Sequence, residues 1–164
     1  MEYIIKPVNS KIYVLEQNQN ELGRFIYDNV FSCNKATVQI TNGPVFRIEN
    51  ISAWRSDFIV KENEKSIFKS RFDWNSDITF STLEQENNKD YILKAKGFWS
   101  DTHSLLDQDK SELLEIKPAY KWKNFSCEYH IKSSEAFQTI NHKELLLFSI
   151  LQGLKTKLMH AAFL

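Results

Sequence analysis

Residues 141–164 read NHKELLLFSILQGLKTKLMHAAFL, and the reading of this stretch decides the fold. Asn141 with Glu144 three residues on predicts a capping box and a helix over about 141–163. At about 100° per residue, Leu145, Leu146, Leu147, Phe148, Ile150 and Leu151 point to every side of that helix. A helix that is apolar all round is buried all round. Further on, Lys155, Thr156, Lys157 and His160 oppose Leu154, Leu158 and Met159, so the distal half should reach a surface. The uncharged run between Glu144 and Lys155 is ten residues. A membrane span needs about twenty, so the helix belongs inside protein.

The rest of the chain has a different period. Phe125, Cys127, Tyr129 and Ile131 alternate with Ser126, Glu128, His130 and Lys132, which gives a strand one dry and one wet face. Ala36, Val38 and Ile40 repeat the pattern, as do Tyr91, Leu93 and Ala95 with Lys94 and Lys96 outward. Half-wet strands belong to antiparallel sheets. Turn signals fall at 18–20, Asn42-Gly43, Asn63-Glu64, 75–77, Asn87-Asn88 and 107–110. This is the spacing of a barrel or sandwich and predicts about ten to twelve strands between Tyr3 and Ser133.

The two periods together constrain the architecture. Packed sheets lie about 10 Å apart and have room only for side chains. A closed barrel of ten or more strands is wide enough to need filling, and a helix can fill it. The prediction is one mainly β domain over 1–164, a closed antiparallel barrel around a buried hydrophobic C-terminal helix. A lipocalin-like barrel for a small hydrophobic ligand is the alternative; it would place the helix outside, with one wet face.

The strand Tyr129-His130-Ile131-Lys132 running on to LLLFSILQGL at 145–154 resembles the tubby C-terminal-like superfamily, which includes LURP-one-related proteins and phospholipid scramblases. Short Gly-containing strands at Leu22-Gly23-Arg24 and Lys96-Gly97-Phe98 are similar. The resemblance implies a barrel of about twelve strands threaded by the helix, and a non-enzymatic binding or regulatory module for anionic phospholipid headgroups. The family's phosphoinositide-binding Lys/Arg motif has no counterpart here, so no site residue carries over from it.

Composition narrows the chemistry. Lys and Arg number 21, as do Asp and Glu, with a pI near 6.9, which argues against nucleic acid as a partner. Cys33 and Cys127 read as two reduced, buried thiols, and the N-terminus has no signal-peptide pattern. The expectation is a cytoplasmic protein, peripheral to a membrane if it binds lipid. The Asn-x-Ser triplets at Asn50 and Asn124 then carry no glycan meaning.

His103, His130, His142 and His160 have no metal-ligand spacing. Asp101-Thr102-His103-Ser104 is not a triad, which is a spatial arrangement, and no GxSxG or phosphate loop occurs. No cofactor and no catalytic residue is expected.

The candidate site is Lys117, Lys121 and Lys123 with Trp122; period two puts Lys121 and Lys123 on one strand face, with Lys94 and Lys96 beside them. Each Lys near an anionic membrane contributes about 1 kcal/mol, and Trp favours the interface. The competing reading is a solvated strand edge guarded by lysines. Trp54, Trp74, Trp99 and Trp122 could line a pocket, but such residues more often supply core. A helix that fills the barrel leaves little cavity, so function is expected on the outer face.

Overall fold

The computed structural model describes residues 1–52, 55–83, 88–124 and 126–162, with 52 and 55 described in backbone only. Trp54, Phe125, Asn87 of one expected turn and residue 163 of the expected helix lie outside these residues. The strands are β1 (Glu2–Pro7), β2 (Ile12–Gln17), β3 (Asn20–Tyr27), β4 (Lys35–Ile40), β5 (Val45–Ser52), β6 (Arg55–Glu62), β7 (Lys65–Phe72), β8 (Ile78–Thr82), β9 (Asp90–Ala95), β10 (His103–Leu106), β11 (Glu112–Lys121) and β12 (Ser126–Ser133). Each pairs antiparallel with the next, and β12 closes on β1 with Ile131 opposite Tyr3. Met1 completes the seam, its backbone carbonyl accepting from the Ser133 amide at 2.8 Å.

The expected turns are where the chain reverses. Asn18, Gln19, Asn42, Asn63, Ser76 and Lys110 all take positive φ, between 51° and 67°. Gly43 does not; Asn42 alone carries the left-handed conformation in that turn. Tyr129 and Ile131 face inward, while His130 and Lys132 are exposed. Ala95, the last residue of β9, is exposed, unlike the inward Tyr91 and Leu93.

Helix α2 (Lys143–Ala162) runs through the barrel, and every residue from 145 to 154 is buried. This overturns the alternative of a peripheral helix beside an open ligand cavity. Ser149 lies inside this apolar span and bonds the Leu145 carbonyl of its own helix at 2.8 Å. Gln152 donates to the Cys33 carbonyl at 2.9 Å. Two glycines let helix and wall approach. A Cβ at Gly153 would lie 2.8 Å from Ile78 Cδ1; one at Gly23 would lie 2.7 Å from the Gln39 carbonyl oxygen.

Connections after even-numbered strands gather at one end and those after odd-numbered strands at the other. A short helix, α1 (Glu135–Gln138), plugs the first end. Phe137 is fully buried there, edge-on to Tyr3, whose hydroxyl donates to Gln138 at 2.8 Å. Four residues show no period, so α1 is invisible to a pattern reading. Helix α2 enters at this plugged end, with His142 against Phe46, and leaves at the other, with Lys155 over Tyr13.

The expected cap does not form. The helix begins at Lys143, His142 takes φ 56°, and Asn141 lies ahead of it in the turn. Cys33 and Cys127 are free but only half-buried, because both stand near the barrel's mouth and not at its centre.

Candidate functional site

The lysine cluster expected on the wall is mostly paired. Lys117 contacts Glu115 at 2.9 Å, Glu115 also binds Lys96, and Lys121 binds Glu128. Lys94 pairs with Asp77 at 3.4 Å. The ammonium groups of Lys96 and Lys117 hold the Glu115 carboxyl well down, at about 2. These are surface pairs, so Lys94, Lys96, Lys117 and Lys121 each stand beside a carboxylate that offsets them. Lys123 shares no strand face with Lys121, because β11 ends at Lys121 and Lys123 sits with Trp122 in the turn beyond. Lys117 is four residues down the strand from Lys121, about 13 Å away. Of the four candidates, Lys121 and Trp122 line one cleft at the barrel's end, and Lys123 is the next residue in the turn.

The three described tryptophans are neither core nor, for the most part, pocket. Trp74, Trp99 and Trp122 are each more than four-fifths exposed, as are Phe31 and Phe98. They stand beyond the strand ends, where no opposite wall can cover them. Phe25, Phe46, Phe58, Phe68 and Phe80 fill the interior instead.

All five of these exposed aromatic residues lie at the end of the barrel opposite α1. Phe31 follows β3, Trp74 follows β7, Phe98 and Trp99 follow β9, and Trp122 follows β11. Val8 after β1 and Leu158 of α2 are exposed at the same end. Trp54 falls between β5 and β6 in sequence. Among the described residues, the large exposed hydrophobic residues at the plugged end are Met1, Val45 and Leu83, none of them aromatic.

Hydrogen-bonded turns hold the rings outward. In the Trp74 loop the Asp73 and Asp77 backbones bond at 2.9 Å, and Asn75 bonds the Asp77 side chain at 2.8 Å. Phe98 and Trp99 stack edge-on, 4.9 Å apart, in a loop closed by the Lys96 amide on the Thr102 carbonyl. Asn29 Oδ1 accepts from the Phe31 amide at 2.8 Å.

Cations surround this rim. Lys11, Lys35, Lys123, Lys155 and Lys157 stand here without an ion-pair partner among the described residues. Of the acids at this end, Asp28, Asp73 and Asp77 are taken by Arg47, Arg71 and Lys94, while Asp101 is exposed.

Where the last turns of α2 part from the wall, two clefts open, sharing Tyr120 and Leu158. One, of 470 Å³, is lined by Phe72, Ile116, Pro118, Tyr129, Leu154 and Lys157, with His103, Asp73 and Asp101 at its polar margin. The other, of 650 Å³, lies between Tyr13, Trp122, Cys127 and Lys155. Burial lowers the pKa of His103, helped by Lys157, and burial lowers that of Lys157. Burial raises the Tyr27 and Tyr129 phenols, whose oxygens, with Gln152 Oε1, have no hydrogen-bond partner among the described residues.

Ser56 Oγ lies 3.1 and 3.3 Å from the two ring nitrogens of His160, and no ion pair to a carboxylate orients that ring among the described residues. Ser104 donates to Glu112 at 2.6 Å, while His103 Nδ1 contacts the Asp101 carbonyl at 3.0 Å, so the 101–104 segment forms no relay. Among the described residues no group of His, Cys, Asp or Glu side chains could hold a metal. Comparison with known proteins finds no matching family model, no matching curated protein and no matching solved structure.

Proposed function

We propose that this chain is a non-catalytic, tubby-like barrel module that docks on anionic phospholipid headgroups, with the aromatic rim as its contact face. The observation that carries the reading is five large aromatic side chains held exposed on hydrogen-bonded turns at one end of the barrel. An exposed apolar patch of this kind marks an interaction surface. Amphipathic rings edged by lysines suit the headgroup layer, where each Lys adds about 1 kcal/mol. A twelve-stranded barrel around its C-terminal helix is the architecture that the family resemblance implies, which supports the tubby-like part.

Attachment from one side fits the barrel's polarity. Its interior is apolar and its wall carries paired charges, the reverse of a barrel that spans a bilayer. Among the described residues no helix is long and apolar enough to cross a membrane. The protein would sit peripherally, on whichever membrane face it meets.

Sedimentation with phosphatidylcholine vesicles, with and without phosphatidylserine, tests this. The wild type should co-sediment more with the anionic vesicles, and salt should weaken the difference. A Trp74→Ala/Trp99→Ala/Trp122→Ala variant should lose at least about tenfold in partitioning, since a fully buried ring contributes about 1.5–3 kcal/mol. Lys123→Glu should weaken binding further, and Lys117→Glu should change little. Equal sedimentation of wild type and triple variant would sink the proposal.

A further inference from the structure

We infer that the 470 Å³ cleft between the last turns of α2 and strand β11 binds a single-chain amphiphile carrying an oxyanion head, a carboxylate or a phosphate ester. This goes beyond docking on a surface, because the ligand would be held as one molecule. The size falls in the range of small-molecule sites, about 300–1,000 Å³. Phe72, Ile116, Pro118, Leu154 and Leu158 offer an apolar wall to a hydrocarbon chain.

Two polar groups set the sign of the head. Lys157 lines the cleft half-buried, with no ion-pair partner among the described residues. Asp77, the acid whose field it feels, is taken by Lys94 at 3.4 Å. Tyr129 is 4% exposed, and its phenol oxygen has no hydrogen-bond partner among the described residues. The Cys127 thiol beside it donates to the Glu128 carbonyl at 3.4 Å, and its sulfur is the weak acceptor nearest the phenol. His103 adds no donor, because its ring is neutral and its Nδ1–H is engaged on the Asp101 carbonyl at 3.0 Å. A half-desolvated ammonium is a donor left wanting an acceptor, and the buried phenol has only a thiol sulfur, a weak one.

The acids at this cleft do not cancel that preference. Asp73 is held by Arg71 Nε and Thr79 Oγ1, each at 3.0 Å, and Asp101 is exposed to water. The neighbouring cleft is a weaker candidate. Its Lys155 is engaged over the Tyr13 ring at 5.0 Å, and none of the partnerless buried oxygens lines it.

Calorimetric and amide-NMR titration of the full chain in vesicle-free solution, with dodecanoate, dodecyl phosphate and dodecyltrimethylammonium below their micelle concentrations, tests this. The two anions should bind, with shifts centred on Leu154, Lys157 and Ile116, and the cation should bind at least about tenfold more weakly. Whichever anion binds more tightly identifies the head. Lys157→Gln should lower anion affinity about tenfold without lowering that for the cation. Ala161→Trp, which fills the cleft from the helix, should abolish all three. Equal affinity for cation and anions, shifts confined to Trp74, Trp99 and Trp122, or an unaffected Lys157→Gln would overturn the inference. No vesicle is present, so failure here leaves the docking proposal standing, and failure of docking leaves this one standing.

Discussion

The two ends of the barrel are built from the same strands and finished in opposite ways. At the plugged end the chain turns tightly at Asn18-Gln19 and Asn63-Glu64, and α1 folds Phe137 into the interior. At the rim end the loops carry Phe31, Trp74, Phe98, Trp99 and Trp122 out into solvent. One end spends its aromatic surface on stability and the other leaves it available. The difference teaches that exposure at the rim is not a failure of packing, since the same chain buries a comparable ring when it has a cover for it.

The sharpest break of that comparison is a set of three truncations. Phe137→Ala should cost about 3–5 kcal/mol and Leu147→Ala about 2–5 kcal/mol, because each empties a filled position inside the barrel. Trp74→Ala should stay within about 0.5 kcal/mol, since its ring covers nothing. Urea denaturation at fixed pH measures all three. A Trp74→Ala loss as large as that of Phe137→Ala would mean that the rim is structural after all.

Next in size is the seam between helix and wall. Gly23→Ala should cost about 1–3 kcal/mol, because the new methyl meets the Gln39 carbonyl oxygen, which is fixed in the sheet. Gly153→Ala should cost less; it meets the far end of the Ile78 side chain, which can turn aside. Thermal melts of the two variants test the order, and the reverse order would mean that the wall gives way before the helix does.

Much of this was legible in the sequence, and the reason is range. The all-round apolarity of 145–151 and the Asn-centred turns are local signals, and they placed the helix inside a closed barrel. The lysine cluster was misread because period two extended β11 to Lys123, while the strand ends at Lys121. The pairing of Lys121 with Glu128 depends on strand register, which a single segment does not carry. The rim was missed because an aromatic residue at a loop tip and one in a core have the same hydropathy. A signal was nonetheless present. Trp74 is flanked by Asp73 and Asn75, Phe31 lies between Asn29 and Asn34, and Phe98-Trp99 lies between Gly97 and Ser100. Aromatic residues inside turn-forming clusters belong to loops, not to the alternating strands. The clefts had no such signal, because they arise only where α2 parts from the wall.

The smallest expected effect separates the two ends by pH. His103 stands at the rim end, where burial and the neighbouring Lys157 lower its pKa below the ordinary 6.5; the Asp101 backbone carbonyl and carboxylate oppose this only in part. The folded state therefore binds this proton less readily than the unfolded chain does. Stability should be full above about 6.5 and should decline as pH falls from there through the lowered folded value. The carboxylates with lowered pKa, among them Glu112 beside Ser104 and Asp28 beside Arg47, act in a separate window. Their contribution is present above the unfolded carboxylate range and is lost only as pH falls below it. Melting temperatures taken between pH 7 and pH 5 should therefore fall slightly in the wild type, and His103→Asn should flatten that slope. An equal slope in the variant would assign the titration elsewhere. If the slope does belong to His103, acid loosens the rim end first, while α1 keeps the plugged end shut.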